Sequence, residues 1–394
     1  MSSTVAGPVA CPVCAGLPAD ATEGPAIPDV ARRDDVEVLD RIAGALLGAA
    51  IGDGIGEQAR QGHLIDAWPV PQPASLRVGG ATQTTLFTVE GMLRMLVRLN
   101  IKGIGPGFTV LRHALDRWLF TQHPANAEFV RRRWNWGNPG RWPDGWLVRQ
   151  HVLHHRRTRM ATTVTALNIG KDVDLTDRRT LQGTPMSSAG AGGLVRVGPA
   201  GAMVYPSFSF EMGVRIAAQT HGSPDGYLPA GAVSRVVAGL VAGDTLRDAL
   251  DEADRELAGW PFGEPTREAL SGELLPVWTP RSALGALCRA VRHAADGGRG
   301  DVVARITQAA WDGGTAPAVV TGLLLGAARG ASALGPGLQA APEVAPLIRE
   351  LAQAAWLVHR KWVNGRPIPG LEIDMGPDDG DYLAQVLWRR YPGW

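Results

Sequence analysis

Residues 39–56 read LDRIAGALLGAAIGDGIG. Leu39, Ile42, Ala43, Leu46, Leu47 and Ala50 fall at the spacing of a single helix face. Asp34, with Glu37 three residues on, is positioned to cap that helix. Gly44 and Gly48 leave one side of it bare, so another segment can pack close to its backbone. From Gly52 onward glycines alternate around Asp53, and a turn is predicted over residues 51–56.

The same periodicity returns downstream. Leu86, Val89, Leu93, Leu96 and Val97 form one apolar stripe, and Leu111, Ala114, Leu115, Trp118 and Leu119 form another. Val233, Val236, Val237, Leu240 and Val241 repeat the pattern, as do Leu284, Leu287, Cys288 and Val291. Residues 317–328 are apolar nearly all round, which predicts a buried central helix. Strand signals are scarce, and neither βαβ alternation nor a short repeat is present, so the fold class read from pattern is all-α, with about a dozen helices. Residues 1–33 are rich in Ala, Pro, Gly, Ser and Thr without periodicity and read as a flexible arm. No long Pro/Gly linker divides residues 34–394, which read as one domain.

Composition narrows the function classes. The 39 basic and 38 acidic residues leave a net charge of +1, so no overall field draws in nucleic acid or an anionic membrane. No run approaches the ~18 uncharged apolar residues of a membrane span. Three cysteines, Cys11, Cys14 and Cys288, allow at most one disulfide and fit a reducing cytoplasm. Cys11 and Cys14 form half of a zinc knuckle with no second half, and read as part of the arm. His151, His154 and His155 would share one face of a helix, but Arg149, Arg156, Arg157 and Arg159 repel a cation, so a solvated basic face is expected there. Arg131, Arg132, Arg133, Trp134, Asn135 and Trp136, followed by Arg141, Trp142 and Trp146, mix cations with aromatics as single-strand binders do. Packing within the bundle is the preferred reading of that stretch.

Residues 43–56 resemble the opening helix and turn of the ADP-ribosylglycohydrolase family, which includes dinitrogenase-reductase-activating glycohydrolases and J1 crystallins. Residues 81–91, 190–199, 220–227 and 321–327 resemble further family stretches, in the family's order. The resemblance runs from about residue 40 to the C-terminus. It implies an orthogonal helical bundle and a cleft in which two magnesium ions assist removal of ADP-ribose from modified side chains. Hard divalent cations need several carboxylates to offset their charge and replace their water.

In the family's register those carboxylates are missing. The Ser/Thr-Asp-Asp-Thr motif aligns with Gly79, Gly80, Ala81 and Thr82. The Gly-Gly-Asp-Ser-Asp motif aligns with residues 313–318, about two residues short and without its aspartates. The glutamate seven residues beyond the Gly-Asp aspartate is Arg60. The glycine-rich loop, usually Asn-Asp-Ser-Lys-Gly-Cys-Gly-Gly, reads Met186, Ser187, Ser188, Ala189, Gly190, Ala191, Gly192 and Gly193. Its glycines keep the capacity to present backbone amides to a diphosphate.

A non-hydrolytic binder of ADP-ribose, an ADP-ribosylated protein or a protein partner is therefore expected, as sensor, scaffold or immunity factor, with no metal and no cofactor. A repurposed metal-independent enzyme and a purely structural relative are the alternatives. Candidate ligand-binding residues are Asp53, Thr82, Gln83, Ser187, Ser188, Gly190, Gly192, Gly193, Arg196 and His221. Several have structural readings beside the functional one. Asp53 can cap adjacent amides, Thr82 and Gln83 can be the N-cap and first turn of the next helix, and His221 can complement a helix C-terminus.

Overall fold

A computed structural model describes residues 36–62, 76–103, 107–134, 143–158, 160–170, 181, 184–295, 301–360 and 382–392. The arm read at residues 1–33, with Cys11 and Cys14, lies outside these, as do the cap Asp34 and the residues Asn135, Trp136, Arg141, Trp142 and Arg159. Sixteen α-helices occur among the described residues, and no strand. The first eight are α1 (Val36–Arg60), α2 (Gly80–Lys102), α3 (Phe108–Gln122), α4 (Pro124–Trp134), α5 (Ala161–Ile169), α6 (Leu194–Gly201), α7 (Pro206–Ala218) and α8 (Pro224–Ala242). Then come α9 (Leu246–Leu257), α10 (Glu264–Leu270), α11 (Ala283–Ala295), α12 (Val302–Gly313), α13 (Thr315–Arg329), α14 (Gly335–Ala340), α15 (Ala345–Val358) and α16 (Tyr382–Arg390). No single helix among the described residues is long and apolar enough to cross a membrane.

Helices α1 and α13 form the centre, and α6, α8, α11, α12 and α15 pack around them. They run antiparallel, with Gly44 opposite Gly326, Gly48 opposite Gly322, Gly52 opposite Ala318 and Gly56 opposite Thr315. A Cβ on Gly48 would lie 2.0 Å from the Gly322 carbonyl oxygen, so only glycine permits this approach. The apolar stretch expected to be central is indeed buried from Pro317 to Ala327.

The turn predicted over residues 51–56 does not form; α1 continues through it to Arg60. Each glycine costs a helix about 1 kcal/mol relative to alanine. Here close packing offsets that cost. Gly52 and Gly56 face α13, and Gly54 lies under the Leu76 side chain. The helix ends where Gln61 and Gly62 turn back, Gly62 taking φ +76°.

Away from the centre, Asp144 lies between two arginines that are wholly buried, Arg94 of α2 and Arg117 of α3. Arg94 also donates to Glu90 and, at 2.8 Å, to the Pro392 carbonyl, fastening the C-terminal segment. Burial alone would raise the Asp144 pKa, but the two guanidinium groups hold it well below the usual carboxylate range. The Arg/Trp stretch likewise serves packing where it is described. Arg131 lies over the Phe120 ring, Arg133 donates to the Leu167 and Gly170 carbonyls, and Trp146 is buried beneath Arg390.

Candidate functional site

A cleft of about 970 Å³ opens where four pieces of chain meet. They are the end of α1 (Ala59, Arg60), the start of α2 (Ala81), the glycine-rich loop (Ala191, Gly192) and the α12 to α13 junction from Trp311 to Ala316. Thr158, Met160, Thr279 and Arg281 complete the wall. Among the described residues, Arg60 and Arg281 are its only ionisable side chains and no carboxylate lines it. Trp311 is 58% exposed, a large aromatic face open to the cleft mouth.

Two carboxylates of α1, Asp53 and Glu57, lie close behind the cleft wall. Asp53 is fully buried, and its Oδ2 accepts from the amides of Gly79 and Thr82, both at 2.8 Å. Burial raises its pKa against the opposing effect of those bonds. Asp53 is thus the cap of α2. The structural alternative for Thr82 and Gln83, an N-cap and first-turn pair for that helix, does not hold, because the N-cap is Gly79. Helix α2 starts at Gly80 behind Gly79, which has no side chain to cap with, and the acceptor comes from α1 instead. Gln83 faces away from the cleft and joins two other segments. Its Nε2 donates to the His155 carbonyl at 2.9 Å, and its Oε1 accepts from Gln122 at 3.1 Å.

Glu57, one turn beyond Asp53, accepts from Arg60 Nε at 3.0 Å and from Gln61 Nε2 at 2.9 Å. Burial pushes its pKa up, but the bonds from Arg60, Gln61 and Thr158 prevail and hold it low. Asp312 turns toward Arg289 and His293. Among the described residues no three Asp, Glu, His or Cys side chains are grouped to hold a metal ion.

Behind the glycine-rich loop lies a chain of buried polar groups. Arg196 is wholly buried, donates to the Gly192 carbonyl at 2.9 Å and to the Thr220 hydroxyl at 2.6 Å, and pairs with no carboxylate among the described residues. Burial, with Arg112 nearby, pushes its pKa down to about 9, so it stays cationic at neutral pH. Thr220 in turn meets His221 Nδ1 at 2.8 Å. Burial and Arg196 push the His221 pKa down to about 3. A neutral imidazole cannot offset a helix dipole as a cation, so the expected role of His221 at a helix C-terminus is corrected: it follows α7 but serves as packing. A Cβ on Gly192 would lie 2.9 Å from His221 Nε2, which explains the glycine.

The loop's amides are partly committed. Gly190 N donates to Ser188 Oγ at 3.2 Å and Ala191 N to the Arg281 carbonyl at 3.0 Å. Gly193 packs against Ala217, and Ser187 is exposed outside the lining. Of the ten candidates, Gly192 lines the cleft, and the others support it from behind or stand beside it. The strongly shifted groups Asp53, Arg196 and His221 belong to that supporting layer, and burial comes first among the causes of each shift. His151, His154 and His155 do not share a helical face: only residues 151–153 are helical, in a single 3₁₀ turn, and His154 bonds the Val148 carbonyl.

Sequence reasoning missed Arg281 and Trp311. Trp311 carried one usable signal, its place just before the degenerate motif at residues 313–318. Arg281 carried none, because it sits in an irregular segment before α11.

The sequence model of the ADP-ribosylglycohydrolase family matches residues 34–365. A solved structure described as an "ADP-ribosylglycohydrolase-related protein complex" shares the fold at a TM-score of 0.53 and 19% identity, covering 82% of this chain and 99% of its own. No curated protein sequence matches.

Proposed function

The chain belongs to the ADP-ribosylglycohydrolase family, and from that premise we propose that its cleft binds an ADP-ribose-bearing ligand without the metal-dependent hydrolysis of the family. The observation that carries this is the charge of the wall: two guanidinium groups and, among the described residues, no carboxylate. Two magnesium ions bring four positive charges, and each would lose several kcal/mol of hydration against such a wall with no anionic ligand in return. The positions aligned with the family's acidic motifs are Gly79, Gly80, Ala81, Thr315 and Ala316, none of which supplies a carboxylate. One oxygen of Asp53 is held by amides, its Oδ1 has no hydrogen-bond partner among the described residues, and Glu57 is held by Arg60. This donor set does not fit a pair of divalent cations, and no catalytic step is drawn through them.

The cleft volume falls in the range of small-molecule sites, and Trp311 offers a stacking face to a planar base. In this proposal residues 1–33, read as an arm from their composition, serve a protein partner. The test has two measurements. An ADP-ribosylated protein incubated with the chain and magnesium should release no ADP-ribose above background. Titration with free ADP-ribose should give the same affinity with magnesium and with a chelator. Metal-dependent turnover in the first measurement would overturn the proposal.

A further inference from the structure

A second concavity, of about 580 Å³, lies apart from the cleft. It is built by the C-terminal half of α2, the start of α3, the connection from α6 to α7, and α7 itself. Helix α2 begins at the cleft with Ala81 and reaches this pocket from Met95, roughly 21 Å further along its axis. Helix α7 spans the same interval: it starts beside Tyr205 and ends where Ala217 packs against Gly193 of the glycine-rich loop. The two sites thus stand at opposite ends of shared helices.

Met95, Met203 and Met212 wall this pocket, and Phe108, Tyr205 and Phe208 are its aromatic members. Tyr205 is 51% and Phe208 57% exposed, so two large apolar side chains left in water stand together at one pocket. Leaving them wet forfeits hydrophobic free energy that a bound apolar molecule would recover. Glu211 and Arg215, the charged side chains of the lining among the described residues, lie one turn apart on α7 and pair with each other. Arg215 also sits over the Phe108 ring, 5.2 Å from its centroid. An ion entering the pocket would shed water against apolar walls whose charges are already matched, whereas an uncharged ligand loses little.

The volume lies within the ~300–1,000 Å³ of small-molecule sites. Two turns of a partner helix, ~10 Å across and ~11 Å long, exceed it, and among the described residues no strand offers an edge to an extended peptide. We propose that this pocket is a second binding site, for an uncharged small molecule with a planar ring system. Its rings pack against Phe108 and Phe208 and against the thioethers of the three methionines, which adapt to irregular shapes and favour contact with aromatic rings. The site is independent of what the cleft binds.

The neutral dye N-phenyl-1-naphthylamine and the anion 8-anilinonaphthalene-1-sulfonate share one ring skeleton and differ by a charged group. Added to the full chain, the neutral dye should bind saturably with enhanced fluorescence, and the anion at least about tenfold more weakly. Phe208→Ala should weaken the neutral dye about tenfold or more by removing the contact of one ring. Leu99→Trp, which fills the pocket from α2, should abolish its binding. Phe208 is exposed and Leu99 half-buried, so both variants should melt near the wild-type temperature. Trp311→Ala, in the cleft, should leave the dye's affinity unchanged. No saturable binding, equal affinity for the anion, wild-type affinity in either pocket variant, or loss of binding in Trp311→Ala would overturn the site. A dimer that Phe208→Ala dissociates, with no dye bound by the wild-type chain, would assign the face to a second copy of the protein and overturn it too.

Discussion

His221 makes stability depend on pH in a way that can be worked out in advance. In the folded chain burial and Arg196 hold its pKa near 3, whereas an unfolded histidine titrates near ~6.5. Between these values the unfolded chain takes up a proton that the folded chain refuses, so acid favours unfolding. The stabilisation is complete above the unfolded pKa and is lost as pH falls toward 3. At ~1.36 kcal/mol per pH unit, moving from pH 7 to pH 5 should cost about 2 kcal/mol through this residue alone. His113, whose pKa is also pushed to about 3, first by burial and then by Arg117, should add a similar loss. The perturbation is His221→Gln, which removes the titration while keeping a polar side chain beside Thr220. Urea unfolding at pH 7 and pH 5 supplies the readout. Whatever the variant's absolute stability, its pH 7 to pH 5 loss should be smaller by about 2 kcal/mol. An equal loss in both proteins would refute the assignment of a buried, neutral imidazole.

Two further predictions concern the frame. Gly322→Ala places a methyl 2.0 Å from the Gly48 carbonyl oxygen, so despite alanine's better helix propensity it should destabilise by at least about 1–3 kcal/mol in urea unfolding. Gly337→Ala, whose methyl would meet nothing within 4 Å, is the control and should be neutral or slightly stabilising. Asp144→Ala leaves Arg94 and Arg117 buried without their shared carboxylate and should cost about 3–5 kcal/mol, seen as a large drop in melting temperature; a change under about 1 kcal/mol would count against the network.

The helical architecture was legible because its periodicity is strong. The stripe of α1 and the all-apolar run of α13 announced the central pair, and Gly44 and Gly48 announced a close neighbour without saying which. The length of α1 was not legible. By local propensity the glycines after residue 51 end a helix, and only contact with α13 and Leu76 reverses that. The capping alternative for Thr82 and Gln83 failed for a related reason: the amide acceptor at the start of α2 is Asp53, 29 residues before Thr82, and local capping rules look only at neighbours. At the site, Gly192 and Arg60 were reachable through the family register. Arg281 was not, since a residue in an irregular segment has no period to betray which way it faces.

The glycine contact between α1 and α13 also acts as a gauge. The last turn of α1 and the first turn of α13 form facing banks of the cleft, and both are tied to the same backbone-on-backbone seam. A slip by one turn, about 5.4 Å, would drive larger residues into spaces sized for a hydrogen atom. The gap between the banks is therefore set by this seam. Ligand preference in such a molecule is free to drift by exchanging the side chains along the banks while the mould that spaces them stays the same.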